Sequence, residues 1–503
     1  LRDKFKTADT TNWEEFQYFN QSIIDKLSSP KSTSYKKIAF YYFVQYHLHL
    51  QLKKAHEYAN KKGIVLKGDI AIGVNKNGVD TWMDPSLYHL DMQAGAPPDD
   101  FAIKGQNWGF PTYNWEVMKK NHYAWWKQRF EQMSNYFDAF RIDHILGFFR
   151  IWSIPSNAVE GIMGRFVPAI PIHKEEITAK GIDFSEIRFC QPYITDKVLW
   201  EISAGNEESV KRFLKQMSDG RYQFKDTFNT QLKVENHFSK LEICDEHAEL
   251  KQTLFNLHTN VLFHKDPVEQ NCYHFRFNAH QTLSFHHLPS HEQNALIELY
   301  NDYFFHRQDE LWKQTALEKL PALKRSTDML ICGEDLGMVP KTVPEVMSYL
   351  GFLCMEVQRM PKKLHTQFLN PAHSSYLTVV TPSTHDMSTI REWWLEDKKA
   401  SQHFFNQELW QYGEAPHDAN VHIVKSIILQ HLASPAMWAV FQVQDLFAMD
   451  ESLRLVDPYK ERINIPGDSK HYWRYRMPIN IEDLHEKKNF NELLHYFITS
   501  NGR

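Results

Sequence analysis

The apolar positions Phe40, Val44, Leu48, Leu52, Ala55 and Ala59 recur every three or four places along residues 38–60. That spacing is the period of a helix, and Lys61, Lys62 and Gly63 supply a cationic last turn and a stop. Residues 64–72 (IVLKGDIAI) then read as a strand, and the order repeats with a helix over 123–136 and a short buried strand over 137–142 (FDAFRI). Further short apolar runs at 328–332, 352–358 and 377–380 each follow polar or helix-like segments, and a helical pattern over 421–432 leads into 438–442. Strands alternating with helices predict an α/β fold on a parallel sheet. Residues 171–312 break this rhythm: they are rich in Lys, Glu, His and Asn, read mainly as helix with a strand pair around 273–285, and form an insertion. The chain therefore divides into 1–170, the insertion 171–312, and 313–503, with no internal repeat or low-complexity tract.

Composition narrows the function classes. A formal charge of −5 over 503 residues argues against a nucleic-acid partner. The 42% hydrophobic and 24% charged content is that of a globular protein with a large core. Aromatics, at 14%, suit the stacking of sugars, although aromatic cores are commoner than aromatic clefts. The five cysteines are scattered without a C-x-x-C pair, which supports neither a disulfide framework nor a zinc ribbon. The longest uncharged stretch, 426–444, is broken by His431, Ser434 and Pro435, so no membrane span is expected. The polar opening does not read as a signal peptide, and a cytoplasmic location is the expectation. With Leu at position 1, the sequence is expected to be the downstream part of a longer chain.

Three stretches run from an apolar strand straight into a carboxylate: FRIDH (140–144), ICGEDLG (331–337) and TPSTHD (381–386). If these strands are parallel they end at one rim, which would bring Asp143, Glu334 and Asp386 together although 191 residues separate the first two. Any one of these carboxylates alone reads as a helix cap; three, with Arg141 and His385 adjacent, read as a site. Chemistry that needs such carboxylates without a metal cage is glycoside transfer, in which one group protonates the leaving oxygen and another attacks the anomeric carbon. Arg141, two residues before Asp143 and on the same side of the strand, would keep Asp143 ionised and make it the nucleophile. Glu334, desolvated after an apolar strand and repelled by Asp335, suits general acid/base duty. Asp386 is left for substrate hydroxyls.

These residues resemble the amylomaltase family, the 4-α-glucanotransferases of glycoside hydrolase family 77. GDIAIGVNKNGVDTW, with Gly68, Asp69, Asp80 and Trp82, is similar to a family strand and loop, and GAPPDDF with GQNWGFP (95–111) is similar to its loop over the substrate cleft. FRIDH, GEDLG and STHD resemble the motifs that carry nucleophile, acid/base and transition-state stabiliser, which implies those roles for Asp143, Glu334 and Asp386, with Arg141, His144 and His385 at the substrate. QDL (444–446), NIPG (464–467) and Trp473-Arg474 resemble the closing segment and second cleft loop, which points to Asn464. The resemblance implies a (β/α)8 TIM-type barrel interrupted by the insertion. It also implies α-1,4-glucan (maltose, maltodextrin, starch or glycogen) as substrate, sugar contacts by Trp108, Gln106 and Asp99, and a retaining double displacement. The long insertion resembles the plant cytosolic disproportionating-enzyme type, which carries starch-binding modules ahead of its barrel. The family's first barrel strand and Gly/Ser/Tyr-rich loop are not matched by residues 1–34: either they lie upstream, or part of the donor site is lacking.

Duller readings stand beside these. Alone, Trp82 and Trp108 read as core or interface aromatics, and only the loop match turns them towards sugar. Asp335 reads as a hydrogen-bonding support, and His144 divides evenly between sugar contact and satisfaction of a buried partner. The 27 histidines include no H-E-x-x-H, and there is neither a P-loop nor a G-x-G-x-x-G, so no metal and no cofactor are expected. Against glucan transfer stand an α-glucan hydrolase, which would only shorten maltotriose, and a non-catalytic glucan-binding scaffold, which would bind without turnover.

Overall fold

The computed structural model describes residues 1–99, 102–242, 244–362, 366–466 and 471–503. The chain folds as two compact units. One comprises Leu1–Asp138, Leu146–Met329 and Pro340–Thr342; the other comprises Ala139–Ile145, Leu330–Val339 and Val343–Arg503.

The second unit holds a run of parallel strands. Ala139–Ile142 pairs with Leu330–Gly333 in parallel, with Ile142 opposite Gly333. Cys332 bridges in parallel to Leu353, the residue before Cys354–Val357. That strand pairs with Thr378–Thr381, which pairs with Trp438–Ala439. Order in space thus repeats order in the chain, with Thr342–Leu350 and Val421–Leu432 among the connecting helices. Ala139–Ile142 and Thr378–Thr381 are buried at every position, as parallel strands covered on both faces are. Cys332, Leu353 and Val379 form one core cluster, and Ile390, Trp394, Val424, Ile428, Phe447 and Phe490 belong to another among the C-terminal helices. Gly333 packs tightly against its neighbours: a Cβ there would lie 2.6 Å from Met347 Cε and 2.8 Å from Ile145.

The first unit is mixed. Its four-stranded antiparallel sheet runs Gln106–Asn107, Met92–Ala96, Ile151–Pro155, Arg165–Val167. Gly95 lies so close to its partner strand that a Cβ would meet Gln106 O at 2.0 Å. The buried Arg150 guanidinium lies 3.8 Å from the Phe166 ring centre and 4.6 Å from that of Trp312. The segment 171–312 lies wholly in this unit; Val198, Leu199, Phe213, Val234, Leu254 and Leu257 are part of its own core cluster.

The expected helices and strands form with shifted ends. Residues 421–432 are helical as expected, whereas the strand expected over 64–72 is only Lys67–Ile70. The helix expected over 38–60 runs Tyr35–Lys61, but none of its residues is buried and Phe40, Leu48 and Leu52 stand exposed. Polar contacts tether it: His49 Nδ1 lies 2.9 Å from Tyr136 Oη, and His56 Nε2 lies 3.0 Å from Asp138 Oδ1. The strand pair expected around 273–285 is instead Phe263–Lys265 with Cys272–Phe275. Residues 283–286 are helical because the Thr282 hydroxyl accepts the Phe285 N–H at 3.1 Å and caps that turn. Among the described residues no helix is long and apolar enough to cross a membrane.

Candidate active site

The parallel register that sets Ile142 opposite Gly333 makes Asp143 and Glu334 the next residues on adjacent strands. The main chain confirms their closeness: the Glu334 N–H donates to Ile142 O at 2.9 Å, and the Ile145 N–H donates to Glu334 O at 3.0 Å. Arg141 projects on the same side as Asp143, as alternation along a strand requires. Its Nη2 donates to Asp143 Oδ1 at 2.7 Å; the Arg side chain is buried, while that of Asp143 keeps 37% of its surface exposed. A permanent cation at this range favours the ionised carboxylate.

Glu334 is held differently. Its Oε2 accepts the His144 N–H and its Oε1 the Leu336 N–H, both at 2.9 Å. Burial nevertheless pushes the carboxyl up to about 7; the Asp143 charge adds to the rise, and Arg141 and the two N–H donors oppose it without prevailing. The like-charge neighbour differs from the one expected from sequence. Asp335 follows Glu334 on an extended chain, so its side chain points the other way: fully buried, it accepts Met355 N–H at 2.9 Å and Lys362 Nζ at 2.5 Å. The contact from residue 144 is made by its backbone, which a left-handed conformation (φ 46°) turns towards Glu334.

Asp386 accepts Asn464 Nδ2 at 2.8 Å and lies 3.1 Å from His385 Nε2. Burial pushes this carboxyl up, but the hydrogen bond and charge of His385, the Asn464 bond and the charge of Arg141 together hold it below the ordinary aspartate value. The His385 ring lies 5.3 Å from that of Trp473. The second unit therefore contains one carboxyl near neutrality, one paired with arginine, and one held low, all within the electrostatic reach of Arg141.

The other expected site residues lie in the first unit. The Trp108 Nε1–H donates to Gln106 Oε1 at 3.0 Å, and its ring stacks with Phe110 at 5.7 Å. Asp99 is exposed and its Oδ1 accepts Ala102 N–H at 2.6 Å. Trp82 donates its indole N–H to Phe16 O at 2.9 Å and is met edge-on by Trp13 and Phe19, so its ring is engaged in packing. Asp100 and Phe101 of GAPPDDF and Gly467 of NIPG lie outside the described residues.

A family model described as 4-alpha-glucanotransferase, that of glycoside hydrolase family 77, matches residues 1–481. The chain belongs to this family. It is 41% identical over 515 residues to "4-alpha-glucanotransferase DPE2" of Oryza sativa subsp. japonica, covering 100% of this chain and 54% of that protein. It is 22% identical to the 4-alpha-glucanotransferase of Chlamydia pneumoniae, covering 97% of this chain and 66% of the other. The chain thus spans between half and two thirds of the length of these relatives. Among solved structures, an amylomaltase from Streptococcus agalactiae in complex with acarbose is similar at a TM-score of 0.59 and 18% identity, covering 100% of this chain and 70% of that one. An amylomaltase from Corynebacterium glutamicum is similar at 0.50 and 14%, covering 99% and 56%. The fold of this family 77 chain is accordingly amylomaltase-like α/β.

Sequence reasoning missed the supports of the Asp386 loop in this family 77 member. Buried Asp445 accepts the Ile390 N–H at 2.8 Å and the Ser383 hydroxyl, and Gln442 Nε2 donates to Ser383 Oγ at 2.7 Å and Thr384 O at 2.9 Å. Arg359 donates to Pro382 O at 3.1 Å and Ser388 O at 2.5 Å, pinning both ends of the loop. QDL was visible as a motif, but nothing local to Arg359 marks it.

Proposed function

We propose that the chain carries a 4-α-glucanotransferase site that moves a segment of α-1,4-glucan to the 4-hydroxyl of a glucose or glucan acceptor with retention. Asp143 attacks the anomeric carbon while Glu334, as the acid, protonates the departing glycosidic oxygen, leaving a β-glucosyl ester on Asp143. Glu334, now ionised, takes the proton of the acceptor hydroxyl as that oxygen displaces Asp143, so two inversions restore the α bond and Glu334 ends protonated. Asp386, with His385 and Asn464 beside it, holds hydroxyls next to the reacting carbon through bonds that tighten as positive charge develops there.

The observation that carries this reading is the geometry: the parallel register seats a buried Glu334, its carboxyl raised by burial, beside an aspartate paired with Arg141 at 2.7 Å. A transferred proton moves most readily when donor and medium are matched. We read the parallel strands as part of a (β/α)8 barrel that residues 171–312 interrupt, Trp108, Gln106 and Asp99 as sugar-binding residues of the family loop, and Trp82 as packing. The test is incubation with maltotriose. A ladder of longer and shorter oligomers supports transfer, shortening alone means hydrolysis, and glucan binding without turnover means a scaffold.

A further inference from the structure

The segment 171–312 brings together a histidine, a cysteine and a carboxylate that the transfer reaction does not use. The strand Ile172–His173 pairs antiparallel with Cys272–Phe275, and the register sets His173 directly opposite Cys272. Cys272 Sγ lies 3.4 Å from His173 Nδ1, and the thiol donates to Glu269 Oε2 at 3.5 Å. One ligand atom from each residue lies within 4.8 Å of the others, with the cysteine buried and the other two exposed. Around a tetrahedral zinc ion, with Zn–S about 2.3 Å and Zn–N or Zn–O about 2.0–2.2 Å, neighbouring ligand atoms stand roughly 3.3–3.7 Å apart. Both distances from the sulfur fall in that range, and rotation of the exposed Glu269 side chain adjusts its carboxylate relative to the imidazole.

The backbone holds these residues ready. Asp266 Oδ1 accepts the N–H groups of Val268 and Glu269 at 2.8 and 2.7 Å, and its Oδ2 lies 2.8 Å from His274 Nε2. The Asp266 N–H donates to Cys272 O, and the Lys174 N–H to Asn271 O, both at 2.9 Å, fixing the turn and its neighbour strand from both sides. Thiolate, imidazole and carboxylate together suit a borderline-soft divalent ion of tetrahedral preference. Sequence spacing conceals the set because His173 and Cys272 are 99 residues apart and meet only through strand pairing.

We propose that His173, Glu269 and Cys272 form a zinc site that clamps the strand opening the insertion to the hairpin carrying Cys272. Binding exchanges the thiol proton for the metal: Zn²⁺ and the thiol give a zinc thiolate and one released proton. Three protein ligands leave the fourth position to water.

The probe is Co²⁺, titrated into the full 503-residue chain after chelator treatment. The expected result is one equivalent bound, with a thiolate-to-cobalt charge-transfer band and the intense visible bands of four-coordinate cobalt, all displaced by zinc. Cys272→Ser abolishes the charge-transfer band, and Glu269→Gln, a surface change, keeps it but weakens cobalt binding at least about tenfold. Absence of the band from the unsubstituted chain, or its persistence in Cys272→Ser, overturns the proposal. Should Cys272→Ser fail to fold, unchanged cobalt affinity in both Glu269→Gln and His173→Ala overturns it equally. The readout is independent of transferase activity.

Discussion

Replacing Glu334 by Gln separates the chemistry proposed for this residue from its cost to the fold. The carboxyl is raised from 4.5 to about 7 chiefly by burial, which corresponds to about 3 kcal/mol by which the folded chain disfavours the ionised form. An unfolded glutamate releases its proton near about 4.3, so between there and about 7 the folded chain holds the extra proton and stability falls as pH rises. Glutamine removes that slope. Its amide oxygen still accepts one of the N–H groups of His144 and Leu336, but its NH2 faces the other, a loss of about 1–3 kcal/mol. Near pH 5 the variant is therefore less stable than the parent, and above about pH 7.5 the deficit shrinks or reverses, as denaturant midpoints at several pH values would record. Activity moves the other way, since glutamine neither donates nor accepts the proton: maltotriose disproportionation drops about 10²- to 10⁴-fold. In the unsubstituted chain, the rate should fall as pH rises above about 7 because the acid form of Glu334 is lost. Variant activity within a few-fold of the parent, or a stability difference independent of pH, would refute this reasoning.

Arg141→Met removes the cation bonded to Asp143 and felt by Glu334 and Asp386; disproportionation should fall at least about 10²-fold, and the acidic limb of its pH profile should move to higher pH as the carboxylates lose that support. Asp445→Ala removes the acceptor of the buried Ile390 N–H and of the Ser383 O–H, although Ser383 Oγ still accepts from Gln442, so a stability loss of about 1–3 kcal/mol by denaturant titration should accompany a fall in kcat. Gly333→Ala forces a methyl against Met347 and Ile145, and a loss of about 1–3 kcal/mol should show as a lower Tm.

What the sequence disclosed and what it hid follow from the range of each interaction. The strand ends were legible to within a residue, at 142, 332 and 380 against 142, 333 and 381, because an apolar run giving way to polar residues is a local pattern, and the parallel register then brings Asp143 beside Glu334. The raised Glu334 carboxyl was legible in direction, but the repulsion comes from Asp143 on the neighbouring strand, whereas sequence adjacency pointed to Asp335. The role of the His144 backbone depends on a left-handed turn that no residue type announces. Arg359 and Asp445 act across gaps of 23 to 62 residues, and the strand Phe263–Lys265 is too short to carry a period of its own. The helix Tyr35–Lys61 is the converse: its pattern gave the element correctly, while its exposure depends on what packs against it.

The central claim is that Asp143 becomes glycosylated and that Glu334 handles the proton. Treating the Glu334→Gln variant with α-maltosyl fluoride tests it most directly, because fluoride leaves without an acid whereas release of the ester needs the missing base. Mass spectrometry of the digested variant should find a maltosyl adduct on the peptide containing Asp143, localised to that side chain. An adduct on another residue, or turnover of the fluoride with inverted product and no adduct, would contradict the account.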